Sequence, residues 1–426
     1  MSQLVLAALS AALAWSALIV YAMFGGADFG GGVVDLLAGW RLRQHGQQRE
    51  WHRERQAIAQ AMGPVWEANH VWLIFVLVVT WTAFPIVYAA VSTALFIPVT
   101  LALIGIVLRG AAFGFRSNYG LQVGLGVAWG HVFDAASVIT PFLFGTVAGA
   151  LASGSIRVYG RPLAVHANYW TTWTTPFALA CGLFAVGLCT VLAATYLTVE
   201  ASAAGDQVLV EVFRQRAIVS GAVTAALGAV AAALAAGEAP TLWRGLIGKA
   251  LPLSLGAVLI GLGAAAALLL RYYQTARVLV AAEAACILAA WGIAQWPYLI
   301  VPDVTIQNAA SSAYNLAVLL ISSVIGMALL LPSLWYLFRV FKSTTQSRTE
   351  GMTVAAFVAS LPTVEVSTET ATSPDDAGGA PGPDTPLRQR LESMPAFSAV
   401  VTRVAGSLRE RLSRWRDRPH PPARTE

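Results

Sequence analysis

Long apolar runs alternate with short polar stretches along this chain as far as Phe341. Nine runs approach or exceed the ~20 residues that a helix needs to cross a bilayer: 4–26, 69–91, 93–115, 121–150, 172–198, 216–236, 250–270, 277–298 and 314–341. Pro85, Pro141, Pro176 and Pro332 fall inside them, which spans tolerate where neighbouring helices shield the backbone. The pattern predicts an all-α integral membrane protein.

Beyond Phe341 the pattern changes twice. Residues 343–395 are rich in Ser, Thr, Pro, Gly and acid, cannot bury enough apolar surface to fold, and read as a disordered linker. In 396–416, Phe397, Val401, Val404, Leu408, Leu412 and Trp415 recur at intervals of three or four, with Arg403, Arg409, Arg411, Arg414 and Arg416 between them. That is a basic amphipathic helix, suited to an anionic inner leaflet or to a packing partner. The division expected is a polytopic membrane domain over 1–342, the linker, this helix, and a disordered end over 417–426.

Composition agrees. Hydrophobic residues make up 57% of the 426 and charged ones 12%, against about 25% charged in a soluble domain. The net charge of +5 is almost all arginine, since Lys249 and Lys342 are the only lysines. In a membrane protein this is a topology signal and not a nucleic-acid one. The first loop carries Arg41, Arg43, Arg49, Arg53 and Arg55; Arg109 and Arg116, Arg214 and Arg216, and Arg271 and Arg277 mark the other odd-numbered loops, while the fourth has Arg157 and Arg161, the sixth Arg244 and Lys249 beside Glu238, and the second and eighth no base, so the odd-numbered loops are the richer. The basic loops face the cytoplasm, so nine spans place the N-terminus outside and the C-terminus inside. No basic n-region precedes the first run, which is therefore expected to stay as a span. Cys181, Cys189 and Cys286 lie in apolar runs without a CxxC and read as buried thiols.

The polar residues within the runs carry the chemistry. An ionisable group at membrane depth is costly and usually marks a proton or ion route. Gly63-Pro64-Val65-Trp66-Glu67-Ala68-Asn69-His70-Val71-Trp72 opens the second run. On a helix Glu67 and His70 share a face. Pro64 suits a helix start, which puts Glu67 in the first turn, where the macrodipole favours an anion. The pair reads either as a cap or as a proton-uptake site; as metal ligands it is too few. Asp28 follows the first run within Phe24-Gly25-Gly26-Ala27-Asp28-Phe29-Gly30-Gly31-Gly32, and Asp35 shares its face if the helix continues. His131 and Asp134 form a second i,i+3 pair, read as a hydrogen bond inside the bundle or as a relay. Glu283, flanked by alanines, needs a partner such as Arg271, Arg277 or a group on another subunit.

These motifs resemble subunit II of the cytochrome bd-type quinol oxidases. The resemblance rests on the second-span decapeptide with Thr82-Ala83-Phe84-Pro85-Ile86-Val87-Tyr88, the Asp28 motif, Arg109-Gly110-Ala111-Ala112-Phe113-Gly114-Phe115-Arg116, Thr175-Pro176-Phe177-Ala178, and Trp296-Pro297-Tyr298-Leu299-Ile300-Val301-Pro302 with Ile306-Gln307-Asn308. It runs collinearly over 1–342. It implies nine transmembrane helices as two four-helix bundles plus one peripheral helix. It also implies a complex that oxidises membrane quinol and reduces dioxygen to water in the bacterial inner membrane. Two haems b and one haem d are expected in subunit I, the partner, with a small single-span subunit as a further companion. Glu67, Asp28, His70 and Asn69 become a proton pathway; Trp66, Trp72, Arg109 and Arg116 become motif and packing residues. With only six histidines, most in loops or tail, the chain alone is expected to hold no full redox centre. A secondary transporter using Glu67 and Asp134, or a structural scaffold, are the alternatives.

Overall fold

A computed structural model describes residues 2–44, 48–62, 65–119, 125–160 and 164–349; within these, side chains at 40–44, 48, 49, 51, 52, 62, 65–68, 116–119, 125–127 and 337–349 are not described. Helical backbone continues to Thr349, into the stretch read as linker from 343; the rest of that reading, 350–395, the amphipathic helix at 396–416 and the end at 417–426 lie outside the described residues. Most of the described chain is helical.

Among the described residues eight helices are long and apolar enough to cross a membrane, nine with a bent pair. In chain order, α1 is Gln3–Gln44, α2 Gln48–Met62, α3 Val65–Ala83, α4 Pro85–Ala94, α5 Phe96–Tyr119 and α6 Leu125–Ser153. They are followed by α7 Pro176–Ala203, α8 Gln207–Glu238, α9 Pro240–Ile247, α10 Leu251–Leu269, α11 Tyr273–Gln295, the one-turn α12 Ile306–Ala309 and α13 Ala313–Thr349. The long helices group by contact. α1, α3, α5 and α6 form one four-helix group, and α7, α8, α10 and α11 a second; α7 joins them through α1 and α6, and α13 lies outside, against α1 and α3. Leu259, Val324 and Leu329 point outward with about two-thirds or more of their surface exposed. That pattern suits lipid as solvent, and the protein is a multi-pass membrane protein.

The structure revises three boundaries. The first helix does not stop near residue 26 but continues through the glycines to Gln44, with Gly30 packed against α7 and Gly32 against α6. The second run is not one helix: α3 and α4 meet at 116°. Pro85 lacks an N–H and disfavours helical dihedrals in the residue before it, and Phe84 sits at φ −134°, ψ 63°. α3, 19 residues and roughly 28 Å long, counts as a span only together with α4, as a broken one. The first loop, read as a basic connector, folds partly into α2, with Ile58 and Arg55 buried.

Two small antiparallel hairpins cap the end where α1 begins. β1 (Arg157–Tyr159) pairs with β2 (Ala164–His166), and β3 (Tyr298–Ile300) with β4 (Val304–Thr305). They are joined by Asp303, which accepts from Arg157 Nε at 2.8 Å and NH2 at 3.1 Å and from Val158 N at 2.9 Å. The Arg157 bonds hold the Asp303 carboxyl below the usual aspartate range. Thr305 and Asn308 form a reciprocal capping box on α12, and Asn308 also donates to the Asp303 carbonyl.

Candidate functional site

Asp28 lies inside the first helix group, toward the end that α2 covers. The glycines around it set how closely helices approach. A Cβ at Gly30 would overlap the Cys189 carbonyl of α7, and one at Gly32 would overlap Ser137 of α6. Small residues that let backbones come together are the usual device for tight helix contacts in membranes. The buried Asp28 carboxylate accepts a hydrogen bond from Asn69 Nδ2 of α3. Its own main-chain carbonyl accepts one from Arg109 NH2 of α5 at 2.7 Å.

Arg109 is 2% exposed. Its Nε donates to Ser137 Oγ at 3.2 Å, and Ser137 in turn donates to the Phe133 carbonyl. Its guanidinium lies 4.8 Å from the Phe29 ring centroid and 5.0 Å from that of Phe133, within cation–π range. Four helices thus hold one carboxylate and one guanidinium in a buried pocket, the cation bonded to the aspartate's backbone and an amide to its carboxylate. His70, one residue after Asn69, sets its ring 6.2 Å from Phe29 and 6.1 Å from Tyr21. The Tyr21 hydroxyl is buried and has no hydrogen-bond partner among the described residues.

A second layer sits two turns further along α1. Arg55 of α2, 1% exposed, places Nε 3.1 Å from Asp35 Oδ2 and NH2 3.9 Å from Asp134 Oδ2 of α6. Gly130 leaves the space that this guanidinium fills. α2 is further tied to the second helix group by Arg53–Asp206 and Glu54–Arg216, each at 2.6 Å.

The family model described as "Cytochrome bd terminal oxidase subunit II" matches residues 6–341. The chain belongs to that family. It is 34% identical over 101 residues to cytochrome bd ubiquinol oxidase subunit 2 of Bacillus subtilis, covering 24% of this chain and 30% of the relative. It is 28% identical over 151 residues to cytochrome bd-I ubiquinol oxidase subunit 2 of Escherichia coli K12, covering 34% and 38% respectively. These alignments span only about a third of the curated relatives' lengths. The fold is similar to the structure of bd oxidase from Geobacillus thermodenitrificans, with a TM-score of 0.62 and 22% identity over 79% of this chain and 98% of that one.

Within this bd-family subunit, the residues singled out in sequence fare unequally. Asp28, Asn69 and Arg109 converge, and His70 joins them through aromatic rings. The side chains of Glu67, Trp66 and Arg116 lie outside the described residues, although the α3 backbone begins at Val65, as Pro64 suggested. Trp72 is half-buried on α3. Asp134 is buried against Arg55, whereas His131 is exposed. Arg271 does not serve Glu283; it lies 3.8 Å from Glu211. Glu283 instead rests against Gly261 of α10, where a Cβ would overlap its carboxylate. Arg55 and Tyr21 were missed. Arg55 was counted among loop bases, and only its place at a helical position four residues after Trp51 and three before the buried Ile58 hints at an inward face.

Proposed function

We propose that this chain is subunit II of a bd-type terminal oxidase, which oxidises membrane quinol and reduces dioxygen to water. It packs against a haem-bearing subunit I in the bacterial inner membrane and supplies part of the proton and oxygen access. The observation that carries the reading, beside family membership, is the meeting of Asp28, Asn69 and Arg109 inside the helix group. A carboxylate there is expensive unless it works or is paired, and its amide partner keeps it oriented without neutralising it.

In this reading protons arrive from the cytoplasmic side. Glu67, in the first turn of α3, receives them and Asp28 passes them on. Arg109, pinned by Ser137 and two phenyl rings, fixes the local positive charge so that the Asp28 carboxylate stays in register with Asn69. His70 and Tyr21 extend the polar line beyond it. The N-terminus lies outside and the tail inside, with residues 396–416 on the inner leaflet.

The two haems b and the haem d supply the oxygen chemistry, and the reading assigns them to subunit I. In the described structure His70 packs beside the Tyr21 and Phe29 rings, and the reading gives it a place on the proton line. A small single-span subunit completes the complex. The transporter alternative needs Asp134 as a coupling carboxylate, and Asp134 faces Arg55 instead.

The test uses the assembled complex in native membranes. Asp28→Asn and Glu67→Gln each keep shape while removing a titratable group. The visible haem spectrum should be retained and quinol-driven oxygen consumption should fall. Unchanged oxygen consumption in both variants removes the proton role. Failure of the chain to copurify with any haem protein removes the whole reading.

A further inference from the structure

At the opposite end of the molecule from Asp28, a groove of about 380 Å³ opens between α1 and α11. Its size falls in the usual range for small-ligand pockets, roughly 300–1,000 Å³. Small residues line it, Ala12 and Ser16 on α1 and Ala289 and Gly292 on α11, with the Trp15 indole packed against Gly292. Ala12 and Ser16 are exposed, so the groove opens sideways, toward lipid. From Trp296 at its mouth to Ala289 is seven residues, ~10 Å along α11 toward the bilayer centre.

The mouth is different in chemistry. Lys249 lines it and is exposed, with its ammonium donating to the Trp296 carbonyl. That bond uses one of three donors. Arg244, in the last turn of α9, is exposed nearby in sequence. No acidic residue lines the groove among the described residues. Trp296 and Tyr298 stand beside Lys249, the aromatic pairing common at a headgroup level. Trp15 is held rigidly behind them, its Nε1 donating to the Leu288 carbonyl at 2.9 Å and its ring edge-on to Trp291. A cation with spare donors at interface depth thus meets an apolar slot running inward.

We infer that this groove is a binding site for an anionic phospholipid, with its phosphate on Lys249 and one acyl chain lying between α1 and α11. Charge complementarity at Lys249 selects the headgroup, and the apolar lining that runs inward from it suits an acyl chain. The site does not depend on the proton pathway.

The assembled complex, reconstituted in phosphatidylcholine nanodiscs, is doped with phosphatidylglycerol carrying a photoreactive diazirine on its acyl chain. Labelling is mapped by peptide mass spectrometry, beside the matching phosphatidylcholine probe. Peptides spanning 11–16 and 289–299 should label about fivefold more with phosphatidylglycerol, the preference one surface cation gives toward anionic lipid. Lys249→Ala should abolish the preference and keep the labelling by phosphatidylcholine. Ala289→Trp should abolish labelling by both probes; Ala12→Phe, at an exposed position, provides the same block if the first variant does not assemble. Equal labelling by the two probes in the wild type overturns the proposal, as does labelling that survives both blocking variants. Absence of labelling means a protein covers the groove and also overturns it. Displacement of the probe by added ubiquinone would assign the groove to quinone instead.

Discussion

Arg55 and Arg157 both clamp an aspartate, at opposite ends of the molecule and in opposite surroundings. Arg157 bonds Asp303 in bidentate fashion across two loop hairpins, with half of its side chain in solvent. Arg55 reaches Asp35 and Asp134 from inside the helix group, with 1% of its side chain exposed. The geometry of the exposed pair is the better one, yet the buried pair matters more. Water and salt compensate a broken surface pair, whereas nothing compensates a charge stranded in a dry interior. The loops are held by interchangeable contacts, and the α2 end by a network in which each member needs the others.

The largest expected effect is therefore Arg55→Ala. Leaving Asp35 and Asp134 buried without their cation should cost on the order of 3–5 kcal/mol, seen as loss of assembled complex on size-exclusion chromatography and a lower melting temperature. Replacing all three together, Asp35→Leu, Arg55→Met and Asp134→Leu, should recover most of that loss. An Arg55→Ala complex that melts like the wild type would break the comparison.

Asn69→Ala comes next. It takes from Asp28 the amide that bonds its carboxylate, a loss of about 2 kcal/mol for a hydrogen bond to a charged group. Oxygen consumption should fall while the haem spectrum stays, and Asn69→Asp should not restore it. Salt then separates the two arginines. Raising ionic strength from about 0.15 M to 1 M shortens the screening length from ~8 to ~3 Å. The melting difference between wild type and Arg157→Ala should shrink, and that between wild type and Arg55→Ala should not.

The smallest effect is that of Arg157→Ala itself, a slight lowering of melting temperature at neutral pH. Its pH dependence has a definite sign. The Asp303 carboxyl titrates lower folded than its ordinary 3.8, so its contribution is present above that value and is lost as pH falls through the lowered folded one. Below the folded value, wild type and Arg157→Ala should melt alike; a gap that persists there would show that Arg157 acts by packing alone.

Legibility in the sequence followed the kind of interaction. Helix existence was plain from apolar run length, and α10 emerged almost as expected, 251–269 against 250–270. The break at Phe84 was not, because Pro85 can be tolerated within a span or can turn it, and only the neighbours decide. The Ile306-Gln307-Asn308 stretch entered as a family-like motif; its structural role as the capping box of α12 and an anchor for Asp303 is local chemistry that side-chain geometry makes visible. Asp28, Asn69 and His70 were legible because polar groups inside apolar runs are costly enough to stand out. Arg55 was hidden, since an arginine in a basic connector looks like any other.

By itself the sequence determined the membrane character, most of the spans and which intramembrane polar groups to watch, because hydrophobic run length and the cost of a buried charge are properties of single segments. Tertiary structure alone decided the partners: Arg109 to the backbone of Asp28, Asn69 to its carboxylate, Arg55 to Asp35 and Asp134, Glu211 and not Glu283 to Arg271. Pairing depends on which helix faces which, at what height and how closely. That is set by small residues such as Gly30, Gly32 and Gly130, whose effect exists only when two helices meet.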